Sequence, residues 1–502
     1  MDAGIAVQMV LGLVEPQASG IGGGAFLVHY SAAERSVRTY DGRETAPEGM
    51  RRDLPLPRTL SGGSVGVPGL LRAAEMAHRA HGRLPWAKLF EPAISLAQTG
   101  APLSPRLHRQ LAARRDLAWV EPARSYFFLP SGAPKPSGTL LINHPYAEVL
   151  RRVATSGPAA FYTGDIARDI VAAVRNHPTG PGTLAGQDLA SYSAKERAPI
   201  CGPYRGYTVC SMGPPSSGGL TLLQILGILQ HFDLRRVRPT TVEAAHLLVE
   251  AERLAFADRA AYVADPDFAP VPVQSLLDAA YLKSRADLID PDRAMKMVNP
   301  GMFPESRLRP RRRDLLPELP STSHIAVVDS GGNALSMSTS LEAIFGSGLM
   351  VRGFLLNSQL TDFSPPADRT GNPAANRAGP GKRPRSSMAP TLVFDQDAKL
   401  RMAVGSAGGS AIINDVAKVL VGVLDWGLDI QQAIALPNLG SRGAAAELEG
   451  GSGAESLQAS LEALGHPVVR LPLESGLQGL LLTSSGILGG SDPRREGIAL
   501  GD

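Results

Sequence analysis

Apolar residues along the chain are spaced so that helical and extended stretches alternate. Asp2 to Leu13 is predicted as a helix that stops at Glu15-Pro16, where proline blocks continuation. The glycine-rich run SGIGGGAFLVHY then opens a strand over Ala25 to Tyr30. A helical region follows Val67-Pro68-Gly69, and Pro214-Pro215-Ser216-Ser217-Gly218-Gly219 reads as a rigid turn into an apolar helix over Leu220 to Leu229. Thr240 and Glu243 form a capping-box pattern ahead of an amphipathic helix from Thr241 to about Val263. Residues 298–320 break this periodicity. They are rich in proline and carry Arg307, Arg309, Arg311, Arg312 and Arg313, which predicts an exposed, mobile linker.

Beyond the linker the pattern becomes extended. His324 to Asp329 and Ala334 to Ser338 flank Ser330-Gly331-Gly332-Asn333, a hairpin signal, and further strands are predicted over Gly353 to Leu356, Thr391 to Phe394 and Leu400 to Val404. Ile412, Ile413, Val416, Val419, Leu420 and Val423 then mark a helix by their near-3.6 spacing. Strands flanked by helices on both sides of the linker predict a layered body.

Composition narrows the function classes. An apolar share of 43% and a charged share of 19% are those of a globular protein, and Gly plus Pro, about a fifth of the chain, make it loop-rich without making disorder the default. A net charge of +3 spread thinly over 502 residues predicts no nucleic-acid partner. Gly20, Gly22 and Ala25 loosely match a dinucleotide fingerprint, but they follow a helix and open a strand, the reverse of the order that motif needs. No spacing suggests a metal site, no cofactor is expected, and no apolar stretch reaches membrane-spanning length. Cys201 and Cys210 flank a Gly-Pro-Tyr-Arg-Gly turn, where a cross-hairpin disulfide is geometrically conceivable; two buried free thiols are the expectation.

The junction Pro320-Ser321-Thr322-Ser323-His324 is the most informative point for chemistry, because three hydroxyl residues sit where a polar linker meets a strand. A residue whose preceding peptide bond is cut gains an α-amino group with a reference pKa of roughly 7.7–8.0. That amine serves as base for the hydroxyl of the same residue, which places base and nucleophile together without further positioning. By itself Ser-Thr-Ser reads more readily as a plain strand start whose hydroxyls satisfy local backbone.

A set of motifs in order along nearly the whole chain changes that balance. VEPQASGIGGGAFLVHY, YDGRETAP, SVGVPG, PPSSGG, AFADRAAYVADPDF, TSHIAVVDSGGNALSMSTSLEAIFG, FLLNSQLTDF, GKRPRSSMAPT, VGSAGGS and SDPRREG resemble the γ-glutamyltransferases (γ-glutamyltranspeptidases, or glutathione hydrolases), which are N-terminal-nucleophile hydrolases. The resemblance implies an α+β fold, a four-layer αββα sandwich formed jointly by two subunits. It implies self-cleavage between Ser321 and Thr322 into a large subunit, 1–321, and a small catalytic subunit, 322–502. Thr322 is then the nucleophile that accepts a γ-glutamyl group from glutathione or a related compound and passes it to water or to an amino-acid or peptide acceptor.

Carried over residue by residue, the resemblance assigns the donor's α-carboxylate to Arg43, Ser386 and Ser387, where a guanidinium and hydroxyl donors suit it. Its α-ammonium falls to Glu342, Gln359 and Asp362. Gly408 and Gly409 are the expected source of the oxyanion-binding N–H groups, and Ser340 of a hydroxyl bonded to the nucleophile. Singly, Arg43, Glu342 and Asp362 would read as surface ion-pair residues; their joint match lifts them above that.

Departures from the family pattern are Ser323 and Ser340 in place of frequent threonines, and Ala411 where arginine commonly follows Gly-Gly-Ser. The segment Ser364 to Gly379, matching a lid loop, is short and lacks an aromatic residue, which predicts loose closure and broad acceptor use. The chain begins inside the region that follows the family's signal peptide. The resemblance points to the periplasm or outside and the residues present to the cytoplasm, so the compartment stays open. Two alternatives are a glutaryl or cephalosporin acylase on the same scaffold, whose substrate has no α-ammonium, and an uncut non-catalytic homologue.

Overall fold

The computed structural model describes residues 1–51, 57, 59–178, 180–303, 311, 321–366 and 373–501. Its strands are β1 (Gly24–Ser31), β2 (Ser36–Gly42), β3 (Lys195–Arg197), β4 (Ile200–Tyr204), β5 (Tyr207–Ser211), β6 (Ser323–Val328), β7 (Ala334–Ser340), β8 (Thr391–Phe394), β9 (Leu400–Gly405), β10 (Gln478–Thr483) and β11 (Gly486–Ser491), with a few shorter ones. Five of them form one antiparallel sheet in the order β3-β2-β1-β7-β6, and six form a second in the order β11-β10-β9-β8-β5-β4.

The main helices are α1 (Asp2–Val14), α2 (Leu70–His81), α3 (Glu91–Thr99), α4 (His144–Ser156), α5 (Gly218–Leu229), α6 (Val242–Tyr262) and α7 (Ile412–Leu424). Helices α1 to α4 cover one sheet and α5 to α7 the other, which gives the αββα sandwich that the resemblance implies.

Strand β1 shows why its sequence is apolar at nearly every position. Phe26, Val28 and Tyr30 belong to the core shared with the second sheet and with α5 to α7. Ala25 and Leu27 point the other way, into the core built by α1 to α4. A strand buried on both faces loses the alternation of a half-exposed one. Strand β7 keeps an alternation for a different reason. Leu335 and Met337 enter the helical core, whereas Ser336 and Ser338 are buried polar positions on the other face. Ser336 Oγ donates to the Val404 carbonyl at 3.1 Å and accepts from the Thr391 backbone N–H at 2.9 Å, so this one hydroxyl bridges the two sheets.

Three expectations are corrected. Cys201 and Cys210 are not free thiols but a disulfide; they are direct cross-strand partners on β4 and β5, a register that the turn alone does not fix. The cap of α6 is Thr241, whose hydroxyl accepts from Ala244 N at 3.3 Å, while Thr240 has a positive φ of 62°. Nor is α6 amphipathic, for every residue from Ala244 to Tyr262 is buried. Leu247, Leu248, Ala251 and Leu254 pack into the core with α5, and Ala245 and Val249 pack against Ala446, Leu448 and Leu461 from the C-terminal part of the chain. A helix enclosed on all sides carries polar residues only where each finds a partner. The described start of the proline-rich segment is mixed, with Asn299 and Met302 exposed. Val298 and Gly301 are buried, and Gly301 N donates to Asp258 Oδ1 at 2.7 Å while Tyr262 donates to the Gly301 carbonyl at 2.6 Å. Apart from 311, residues 304–320 and their arginines lie outside the described residues. Among the described residues no helix is long and apolar enough to cross a membrane.

The disulfide closes a loop of about ten residues, for which chain-entropy arguments give about 2–3 kcal/mol. Replacing both Cys201 and Cys210 by Ser is expected to lower the stability measured by urea unfolding by about that amount. Adding a reductant to the variant should change nothing further.

Candidate active site

Thr322 immediately precedes β6, the edge strand of the first sheet, and is 3% exposed. Pairing of Ser323 with Thr339 and of Ser340 with Gly24 sets the hydroxyls of Thr322 and Ser340 side by side, 3.3 Å apart. Both face the Ser321 carbonyl oxygen. Thr322 Oγ1 lies 2.7 Å from it, and Ser340 Oγ donates to it as well. The Ser321 hydroxyl is held in turn by the Gln17 carbonyl at 2.8 Å. The peptide bond between Ser321 and Thr322 thus has a hydroxyl nucleophile at hand and a second hydroxyl polarising its carbonyl.

The backbone must come very close here, which explains the glycine-rich segment after α1. A Cβ on Gly23 would sit 2.2 Å from the Ser340 carbonyl oxygen, and one on Gly22 2.1 Å from that of Leu355. These glycines serve close packing beneath the site.

Arg43, Thr322, Ser340, Glu342, Gln359, Asp362, Ser386, Ser387 and Gly409 line one small cavity, completed by Met388 and Ile412. Of the ten side chains and glycines proposed from sequence, only Gly408 is outside that lining, and it adjoins Gly409. The Arg43 guanidinium donates to Asp362 Oδ2 at 2.6 Å, to the Arg385 carbonyl at 2.6 Å and to the Pro384 carbonyl at 3.0 Å. Asp362 also accepts from Gln359 Nε2 at 2.5 Å. Glu342, with a positive φ of 78°, takes its N–H to Ser340 Oγ at 2.9 Å and accepts from Ser358 Oγ at 3.0 Å. A left-handed residue other than glycine is strained, and strain of this kind concentrates at functional sites.

Gly408 and Gly409 have φ of 147° and 63° at the entrance to α7, backbone that side chains rarely adopt. Ala411 contributes no charge there. A guanidinium reaches the segment from elsewhere: Arg442 lies 3.5 Å from Ser410 Oγ and binds Glu447 at 2.8 Å. The described ends of the segment matched to a lid are hydrogen-bonded to neighbouring parts of the site. Ser364 N donates to the Asn376 carbonyl at 2.9 Å, and Asn376 bonds both the Asp362 carbonyl at 2.6 Å and Arg385 N at 2.9 Å. Residues 367–372 lie outside the described residues.

Residues that sequence reasoning quoted without a role also converge here. Arg259, in AFADRAAY, donates to Ser217 Oγ and to Ser387 Oγ at 2.7 Å each, and Ser217 donates to the Ser386 carbonyl at 2.6 Å. The PPSSGG turn and α6 therefore hold the serine pair from behind. His324 is buried and its imidazole is pushed down to about 3 by that burial, so it stays neutral while bonding Ser338 Oγ at 2.9 Å. Among the described residues no group of three or more His, Cys, Asp or Glu side chains is arranged to hold a metal ion.

Comparison with known proteins places the chain in a family. The family model described as Gamma-glutamyltranspeptidase matches residues 1–502. The chain is 36% identical to the glutathione hydrolase proenzyme of Escherichia coli (strain K12), over 98% of this chain and 86% of that protein. It is 32% identical to the glutathione hydrolase proenzyme of Bacillus subtilis (strain 168), over 100% of this chain and 87% of that protein. Among solved structures it is similar to a cephalosporin acylase from Bacillus halodurans, with a TM-score of 0.84 and 27% identity, over 98% of this chain and 89% of that one.

Glu44, next to Arg43, carries a separate consequence. At 3.9 Å from Arg43 Nη1 it qualifies as an ion pair by distance, yet its buried carboxyl oxygens make no hydrogen bond. Burial outweighs the pull of Arg43 and pushes the carboxyl from 4.5 up to about 8. The folded protein holds this proton more tightly than the unfolded chain. That stabilisation is complete below about pH 4.5 and is lost as the pH rises towards about 8. Glu44→Gln is expected to remove this loss, so that the wild type weakens relative to the variant between those pH values in urea unfolding. Parallel curves would show that Glu44 is ionised.

Proposed function

The chain belongs to the γ-glutamyltranspeptidase family, and on that premise we propose that it cuts itself before Thr322 and then works as a γ-glutamyl transferase and hydrolase. The observation that carries this reading is the Thr322 hydroxyl 2.7 Å from the Ser321 carbonyl, at the floor of a cavity that also holds Arg43 and Asp362.

In the self-cleavage step Thr322 Oγ1 attacks the Ser321 carbonyl carbon, with Ser340 donating to the carbonyl oxygen. The C–N bond breaks as the Thr322 nitrogen takes up the proton released by the hydroxyl, leaving an ester. Water hydrolyses that ester, and the products are residues 1–321 and 322–502. They stay together because the sheets are shared: β1 from the large part pairs with β7 from the small, and β5 with β8.

The freed α-amine then accepts the Thr322 hydroxyl proton as the oxygen attacks the γ-carbonyl of a donor such as glutathione. The N–H groups of Gly408 and Gly409 bind the developing oxyanion. The leaving amine takes the proton, and water or an amine acceptor releases the γ-glutamyl group by the same steps in reverse. Arg43 with Ser386 and Ser387 holds the donor's α-carboxylate. Glu342, Gln359 and Asp362 take its α-ammonium. The acceptor is water or an amino acid or peptide.

An acylase for glutaryl-type substrates is a second reading, favoured by the likeness to the cephalosporin acylase. Such a substrate offers no ammonium, so the Glu342 and Asp362 carboxylates facing the cavity support the γ-glutamyl reading.

Purified protein is expected to show two fragments, the smaller starting at Thr322 by N-terminal sequencing, and Thr322→Ala should remain one inactive chain; normal cutting of that variant would refute the mechanism. Asp362→Asn should lower kcat/KM for γ-glutamyl anilides roughly tenfold to a hundredfold more than for glutaryl anilides, the value of a hydrogen bond to a charged group. An equal loss on both substrates would remove the assigned role for the ammonium.

A further inference from the structure

One motif is used by none of these steps: Ser491-Asp492-Pro493-Arg494-Arg495-Glu496-Gly497, after β11. Arg494 turns inward and binds Glu449 Oε2 at 2.7 Å and Asp492 at 3.2 Å, a structural lock. Arg495 turns the other way. Its Nη1 donates to the carbonyl oxygen of Thr322 itself at 3.0 Å, and its Nη2 to the Glu474 carbonyl at 3.3 Å. Gly476 makes room for it, since a Cβ there would stand 2.9 Å from Nη1.

We propose that Arg495 is a positioning residue for the N-terminal nucleophile. It anchors the Thr322 carbonyl once the peptide bond on the other side is gone, and its charge keeps the new α-amine unprotonated near neutral pH. This deepens the reading of Thr322 as nucleophile and rests on it.

The anchoring half follows from connectivity. Cleavage removes one of the two covalent tethers of Thr322, whereas the bond from Arg495 is made to the residue's own carbonyl and survives the cut. The electrostatic half follows from distance. Nitrogen and carbonyl oxygen of one residue lie about 3 Å apart, so the guanidinium stands within roughly 6 Å of the amine. A like charge at that range disfavours the ammonium form.

The other charged groups around Thr322 are already engaged. Glu15, at the end of α1, accepts from Ser323 Oγ at 2.6 Å and lies 3.6 Å from Arg106 Nη1. Arg106, on the helix Pro105–Ala113, lies 3.8 Å from Glu474, and its N–H donates to Glu496. Glu342 is bonded by Ser358, Arg43 is paired with Asp362, and His324 is neutral. Burial and the nearby Arg106 bring Arg495 itself down to about 10, so it remains charged at neutrality.

The test is the pH dependence of kcat/KM on a γ-glutamyl anilide for wild type, Arg495→Gln and Arg495→Lys, each first shown by N-terminal sequencing to be cut at Thr322. The acidic limb of the Gln variant is expected to move up by about one pH unit, and that of the Lys variant to stay in place while its plateau falls. A Gln variant that loses the same factor at every pH, with its limb unmoved, overturns the electrostatic role and leaves a structural one. Should the Gln variant fold without cutting itself, the Lys variant decides: an unmoved limb supports the proposal and a limb displaced upward despite the retained charge overturns it. A wild type that is uncut, or whose small fragment begins elsewhere, removes the nucleophile assignment and this inference with it.

Discussion

The pairing of β6 with β7, and of β7 with β1, is the constraint on which the site depends. It sets Ser323 opposite Thr339 and Ser340 opposite Gly24, and so brings two hydroxyls and one peptide carbonyl into mutual contact. A shift of one residue in either pairing would turn Ser340 to the opposite face of its sheet and separate it from Thr322. The glycines beneath the site, the Ser336 bridge between the sheets and the Ser338–His324 bond all act to hold that register.

The donor-binding side rests on buried charge that Arg43, Asp362 and Arg259 hold in hydrogen bonds. The segment Pro384 to Ser387 is clamped between two guanidiniums: Arg43 binds the carbonyls of Pro384 and Arg385, and Arg259 binds the hydroxyl of Ser387. Burying a charge is costly unless it is paired and hydrogen-bonded. Here the partners come from the residue after β2, from α6 and from neighbouring loops at once, and the position of each group is fixed by several others. Glu44 is the exception, and it meets the cost by holding its proton.

The two sheets also explain how a chain could be cut without coming apart. Each sheet contains strands from both sides of Thr322, and α6 packs residues from 446–461 along one flank. The segments before and after the junction share one core rather than forming two domains joined by a linker. Breaking one peptide bond at the start of β6 removes none of the ladder bonds that hold that strand.

How much of this was legible in the residues depends on whether a feature is local. The helices at Asp2, Leu220 and Ile412 and the hairpin around Gly331 follow from periodicity and turn chemistry, and the structure has them within a residue or two. The candidate site residues came from motif resemblance, and nine of the ten line a single cavity. What periodicity could not supply was the environment of each element. Helix α6 reads as amphipathic until the segments on both flanks are known, and Cys201 and Cys210 read as free until the register of β4 and β5 is set. Arg259 and Arg495 carry no local signal, because their partners lie 42 to 173 residues away, and Glu44 carries none because its role comes from the burial that the fold imposes. The sequence by itself determined the elements and the chemistry-bearing types. Only the tertiary structure decided which of them meet, because burial, register and pairing are properties of contacts between segments and not of any segment alone.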